Sequence, residues 1–412
     1  MHSDLDRIMT EADLDALLVF GPASHNAAMV YFTGVRHISW GYLLKPRGRP
    51  AIHIHHPMER EESSATGLAT RSLTEFDQHE ILEAAGGDEI EVQSQLLQRI
   101  FKEYKIAGRV GVYGKYEIGP GLSILRKLDQ ALSQVEIVGE ANDQSVLMAA
   151  RLTKSDAEVE RIRRMGKITT SVVGDVANFL TALDVRENVL VDREGQPVTI
   201  ADVKHKINLW LAMRGAENPE GTIFSIGRDA GIPHSGGTDA DPIPIGQPII
   251  FDIFPCETGG GYYYDFTRTW SLGYATDEVQ ATYDDVLEVY QAVSNSILPN
   301  TPCAQYQVQT CNIFEAKGHP TVHSSPDTTV GYVHSLAHGL GLDVHEAPVF
   351  RSDKAKEDQV LPGMVFSLEP GLYYPERGLG VRIEDTIWMR PDGTLEILAD
   401  YPKDLVLKLP RM

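Results

Sequence analysis

Two aspartates sit where a chain rarely keeps a charge. Asp252 lies in PIIFDIF, where nearly every neighbour is apolar, and Asp265 lies in YYYDFTRTW, a run rich in aromatics. A carboxylate inside such a strand is costly unless it is paired or bound to a metal. Between the two lies CETGGG, a glycine-rich turn, so the segments read as strands of one hairpin. Their separation is 13, an odd number. Residues directly opposite across an even-length loop differ by an odd number. Asp252 and Asp265 are therefore expected as cross-strand neighbours on one face, with Cβ atoms ~5 Å apart. Two carboxylates that close repel each other unless a cation or a proton lies between them.

A second acidic pair follows the same logic. Glu369 lies in VFSLEPG and Glu384 in VRIEDT, 15 residues apart, across a loop with Pro375 and three glycines. Arg382 and Glu384 are two apart on one strand and share its face. The segment HSLAHGLGLDVHE (334–346) adds imidazoles, and Gly339 and Gly341 allow a tight backbone path that presents His338 and His345 to one cavity. The HExxH helix of zinc proteases is absent. Four carboxylates and one imidazole make a hard, oxygen-rich donor set. It suits two divalent ions such as manganese, cobalt or ferrous iron better than structural zinc.

At 412 residues the chain is long enough for two domains. DALLVF (15–20), AIHIHH (51–56) and RVGVYG (109–114) read as strands, with a polar helical stretch at 89–104, an α/β texture. Near residue 152 the texture changes. Ser155 and Glu158 form a capping box ahead of a stripe of Val159, Ile162, Met165, Ile168, Val172, Val176 and Phe179. The boundary is placed there, giving domains 1–151 and 152–412. In the second domain Ile200, Val203, Ile207 and Trp210 mark one helix, and Val279, Tyr283, Val286, Tyr290 and Val293 another. Strand signals fall at 248–254, 261–270, 364–369 and 380–389, a block arrangement that reads as α+β with antiparallel pairs.

Charge narrows the function classes. Lys and Arg number 37 against 58 Asp and Glu, a net charge of −21, which argues against a nucleic-acid or anionic-membrane partner. The three cysteines form no CxxC pair, which argues against a disulfide scaffold. The segment MHSDLDRIMTEADLD has no basic stretch followed by an apolar run, so no secretory signal is expected. The expectation is a soluble cytoplasmic protein.

Bland readings hold for several motifs. HIHH at 53–56 is taken as a surface or interface strand with His53 and His55 on one face. The YYY run is taken as hairpin packing. Cys256 is taken as a small buried apolar side chain, and Arg268 as an ion-pair partner behind the site.

The order Asp, Asp, His, Glu, Glu in these strand contexts resembles the pita-bread metallopeptidases. DFTRT, HGLGLDVHE, SLEPGLY and VRIEDT resemble the signatures of the Xaa-Pro branch, aminopeptidase P and prolidase. LDALLVFGP and YFTG are similar to the creatinase-type N-terminal domain of that branch. The resemblance implies an α/β N-terminal creatinase-like domain plus an α+β pita-bread C-terminal catalytic domain. It implies that Asp252 chelates one metal, that Asp265 and Glu384 bridge two, and that His338 and Glu369 hold the other, with a bridging hydroxide as nucleophile. Two divalent ions are implied, with manganese the first choice and cobalt, iron or zinc as others. Glu369 would move the proton, His345 would stabilise the carbonyl oxygen, and His234 in IPHSGG matches the other active-site histidine. Arg382 would contact the substrate's carboxylate side or structure the pocket there. The implied substrates are short peptides with proline second, and the implied assembly is a homodimer.

The expected activity is aminopeptidase P-like, with Xaa-Pro dipeptidase as the alternative. Methionine aminopeptidase, a creatinase-like hydrolase and a non-catalytic pita-bread module rank lower, the last two because they tend to lack metal ligands. Three departures from the family pattern stand out. The first Asp pair is usually 11 apart, Ala337 replaces a glycine before the metal histidine, and Cys256 with the GGGYYY run is unusual. A longer hairpin that keeps the facing of both side chains is expected.

Overall fold

Short apolar runs in the first 150 residues, fully buried in the central strands Ala16–Gly21 and Gly41–Pro46, build a six-stranded mixed sheet. Its order is Ala69–Ser72, Ile52–His55, Gly41–Pro46, Ala16–Gly21, Gly108–Gly114, Val135–Val138. The computed structural model describes residues 4–141, 144–351 and 358–409. The chain divides into two compact units, Met1–Arg151 with Thr258–Gly261, and Leu152–Glu257 with Tyr262–Met412.

In the first unit the helix Glu89–Glu103 starts at Asp88, whose side chain accepts from the Glu91 N–H. It turns Leu96, Leu97, Ile100 and Phe101 onto Leu18, Leu44, Ile54 and Val110 of the sheet. HIHH is not a surface strand. Ile52–His55 has a neighbour on each side, and His53 and His55 are buried. Gly41 makes room for the His53 ring, since a Cβ there would lie 2.7 Å from its Nε2. Ser63 Oγ meets His53 Nδ1 at 2.7 Å. Burial, with His55 beside it, pushes His53 down to about 4, so the ring is a neutral core side chain.

The second unit opens with the helix Asp156–Thr181, capped where Ser155 N–H donates to the Glu158 carboxylate at 2.8 Å. Val159, Ile162, Met165, Val172 and Val176 are buried along it, while Ile168 and Phe179 are half-buried. Gly166 is required on that face. A Cβ there would lie 2.5 Å from the Tyr264 ring and 2.8 Å from Ala399 Cβ. Tyr262, Tyr263 and Tyr264 are all buried, and the Tyr264 hydroxyl donates to the Ala399 carbonyl at 3.2 Å.

Two sheets carry the chemistry-bearing residues. One has the order Thr222–Ile226, Pro248–Ile253, Phe266–Leu272, Val406–Leu407. The other runs Glu346–Val349, His338–Gly339, Val365–Leu368, Asp385–Met389, Leu395–Ile397. Behind them lies one large apolar core that includes Val286, Tyr290, Phe314, Phe366, Leu368 and Ile387. The expected strand over 380–389 is in fact two, Leu379–Arg382 and Asp385–Met389. The chain changes partner there: the first piece pairs with Gly371–Tyr374, the second with Val365–Leu368, and Glu384 between them bridges to Thr267. Among the described residues, no helix is long and apolar enough to cross a membrane.

Candidate metal centre

The first acidic pair is set by one long hairpin. Its ladder pairs Asp252 with Thr267 and Ile253 with Phe266. The same register continues outward, with Tyr264 N–H to Pro255 O at 3.0 Å and Glu257 N–H to Tyr262 O at 3.1 Å. Gly259 and Gly260 close the turn with φ of 91° and 83°. This corrects one expectation. Asp265 does not stand directly opposite Asp252, and it precedes the strand, which begins at Phe266. It lies two positions before Thr267 and so is a diagonal neighbour. An offset of two preserves the face, which an offset of one would reverse.

The second pair is directly opposed. Leu368 pairs with Asp385 and Gly371 with Arg382, and Ile383 N–H donates to Pro370 O at 3.3 Å between them. That register sets Glu369 across from Glu384.

His338 sits at a bulge in its sheet. Its Nδ1 lies 3.1 Å from the Gly339 carbonyl. The other nitrogen, Nε2, faces the carboxylates, 3.5 Å from Asp265 Oδ2 and 3.7 Å from Glu369 Oε1. Close backbone passage makes this possible, since a Cβ on Gly339 would lie 2.0 Å from the Ala347 carbonyl oxygen. The loop beyond is held by Glu346, which accepts from Leu342 N–H at 2.8 Å and from the buried Lys154 ammonium at 2.9 Å. His345 returns from it so that its ring centre is 4.4 Å from that of His338.

Asp265, His338 and Glu384 each present a ligand atom within 4.8 Å of the others. Burial, and then Glu384, Asp252 and Glu369, push Asp265 well above the usual carboxylate range. Burial and Glu384 do the same to Glu369, and burial and Asp252 lift Glu384 to about 8. Burial and His345 push His338 down to about 3. Three buried carboxylate oxygens, Asp252 Oδ1, Asp265 Oδ1 and Glu384 Oε1, have no hydrogen-bond partner. Crowded, desolvated carboxylates with orphaned oxygens beside a neutral imidazole are what a cation would satisfy. The donor set therefore fits divalent metal.

Arg382 is buried and fully engaged. Its guanidinium reaches Asp252 Oδ2 at 2.6 Å, the Tyr373 hydroxyl at 2.9 Å and the Pro233 carbonyl at 3.3 Å. The last contact places it beside the backbone of His234. Sequence reasoning missed His334 and Tyr373. His334 Nε2 meets the Tyr373 hydroxyl at 2.8 Å, and its Nδ1 is 4.0 Å from Glu369 Oε2. Burial and Arg382 push His334 down to about 4, so it is neutral. The segment bends at His334 and Leu336 before the strand begins at His338, so no strand period in the sequence pointed to His334.

A fold of this kind around such donors defines a metallopeptidase. The chain belongs to metallopeptidase family M24, whose model matches residues 160–391. It is similar to the Xaa-Pro dipeptidase of Pyrococcus furiosus, 24% identical over 94% of each chain. Its fold resembles the X-Pro aminopeptidase of Thermotoga maritima, with TM-score 0.74 and 22% identity over 97% of this chain and 99% of that one. It also resembles the Xaa-Pro dipeptidase of Bacillus anthracis, with TM-score 0.73 and 23% identity over 98% of both. The fold is thus an α/β N-terminal creatinase-like domain with an α+β pita-bread C-terminal domain.

Proposed function

We propose that this metallopeptidase is an exopeptidase that hydrolyses Xaa-Pro bonds at the N-terminus of short peptides, as an aminopeptidase P does. The observation that carries the reading is the cluster of Asp265, His338 and Glu384, with Glu369 Oε1 3.7 Å from His338 Nε2 and one oxygen each of Asp252, Asp265 and Glu384 buried and unpartnered. These five side chains would hold two divalent cations, with manganese the choice for so oxygen-rich a set. When bound, the two cations supply Lewis acidity that lowers the pKa of water and offsets charge on the tetrahedral oxyanion.

The chain's own groups do the rest. Glu369, whose Oε1 lies 3.7 Å from His338 Nε2, takes a proton from the attacking water and delivers it to the leaving proline nitrogen. His345 and His234 direct imidazole N–H groups at the carbonyl oxygen. Arg382 holds Asp252 and Tyr373 in place and structures the pocket on the proline side. Domains 1–151 and 152–412, a homodimer and a cytoplasmic location complete the proposal. The homodimer rests on family resemblance, and the location is consistent with three free, buried cysteines.

A second reading, Xaa-Pro dipeptidase, is favoured by the names of the Pyrococcus and Bacillus relatives. Ala-Pro and Ala-Pro-Ala, assayed side by side with manganese, separate the two. Alanine released from the tripeptide supports the aminopeptidase. Cleavage of the dipeptide alone supports the dipeptidase, and cleavage of neither contradicts both.

A further inference from the structure

The motif Thr267-Arg268-Thr269 follows Asp265 and faces away from solvent throughout. Thr269 Oγ1 donates to the Arg382 carbonyl and accepts from the Arg382 N–H, both at 2.9 Å, so a side chain stands in for a strand partner. Arg268 spans the Thr267 and Glu384 carbonyls at 2.9 and 2.8 Å. Thr267 stands between them with a hydroxyl whose two bonds have a fixed direction. Its oxygen lies 2.7 Å from Glu384 Oε2 and 3.2 Å from Arg382 Nε. A guanidinium only donates, so the bond from Arg382 Nε takes a lone pair of the hydroxyl and leaves its proton for Glu384 Oε2.

We infer that Thr267 is a positioning residue for the metal centre, one that sets Glu384 and Arg382 together. The inference rests on the metallopeptidase reading above. A β-branched side chain on a strand has few rotamers. The Thr267 carbonyl is also pinned by Glu384 N–H at 3.0 Å, so the hydroxyl has little freedom to move away. With Oε2 tied to it, the unpartnered Oε1 of Glu384 is the oxygen left free for a cation. The same hydroxyl holds the guanidinium that reaches Asp252 Oδ2. One hydroxyl thus orients Glu384 directly and Asp252 through Arg382. Groups that hydrogen-bond a ligand in this way typically change metal affinity about 10–100-fold when removed.

The test is manganese binding by calorimetry to chelator-stripped protein, with the melting temperature of the metal-free protein beside it. Thr267→Val keeps shape and removes the hydroxyl. It should weaken manganese binding about 10–100-fold, with a lower but still cooperative metal-free melt because Arg382 Nε and Glu384 Oε2 lose a buried partner. Thr267→Ser, which restores the O–H, should recover most of the affinity. Thr267→Ala is the second hydroxyl-free variant and should match the valine variant. Wild-type affinity in a folded valine or alanine variant overturns the assignment of Thr267 alone. A wild-type protein that takes up no manganese overturns the metal reading and this inference with it.

Discussion

Asp265→Asn is expected to remove bound metal and peptidase activity together. The change is nearly isosteric, so it alters charge and donor chemistry more than packing. Asp265 shares the three-residue cluster with His338 and Glu384, and its Oδ1 is buried without a partner. An amide offers one weaker oxygen in place of a carboxylate. Metal contributes several kcal/mol of transition-state stabilisation in such enzymes, so activity should drop ~10³-fold or more. In the metal-free protein burial and the neighbouring carboxylates favour the neutral form of Asp265, and asparagine is neutral too. The metal-free variant should therefore melt no lower than metal-free wild type, while wild type gains stability on adding manganese and the variant does not. Full activity in the asparagine variant would sink the assignment.

Arg268→Met should produce the largest loss of stability. The side chain is fully buried, and its Nη2 donates to Asp385 Oδ1 at 2.8 Å and to the Tyr401 carbonyl at 2.9 Å. Its Nε donates to the Pro402 carbonyl at 3.0 Å, and its Nη1 reaches the Thr267 and Glu384 carbonyls. Methionine fills part of the volume but leaves these acceptors in a dry interior. Asp385 keeps Tyr290 at 2.5 Å and Lys403 at 2.7 Å, which limits the damage. Breaking a buried pair from one side costs about 3–5 kcal/mol, a melting-temperature fall on the order of 10 °C for a unit of this size. A variant that melts with wild type would show the pair to be dispensable. The expected reading of Arg268 as an ion-pair partner behind the site is thus given a specific partner, Asp385.

Patterns with a fixed period were legible in the sequence. The odd separation of Glu369 and Glu384 is enough to put them on one face of a hairpin, because ladder parity depends only on the count between them; that they stand directly opposite is set by the register. The capping box at Ser155 marked the start of a 26-residue helix for an equally local reason. Register was not legible. Parity put Asp252 and Asp265 on one face, yet a ladder shifted by two satisfies parity as well, and only the hairpin turn selects between the two. The break at Glu384 was hidden for a related reason, since both halves carry strand-forming residues and the change of strand partner is a matter of pairing, not of composition. His53 was misjudged because its burial depends on a missing side chain at Gly41 and a hydroxyl at Ser63. His334, Tyr373 and Thr267 act through hydrogen bonds between distant segments, which no single segment encodes.

The central claim is that this buried cluster is a metal site for peptide hydrolysis. The most direct test is to strip the protein with chelator, titrate manganese back, and follow bound metal and alanine release from Ala-Pro-Ala on the same sample. The account predicts an inactive stripped protein whose activity returns in step with about two ions bound per chain. Activity that survives stripping, or two ions bound with neither Ala-Pro-Ala nor Ala-Pro cleaved, would contradict it.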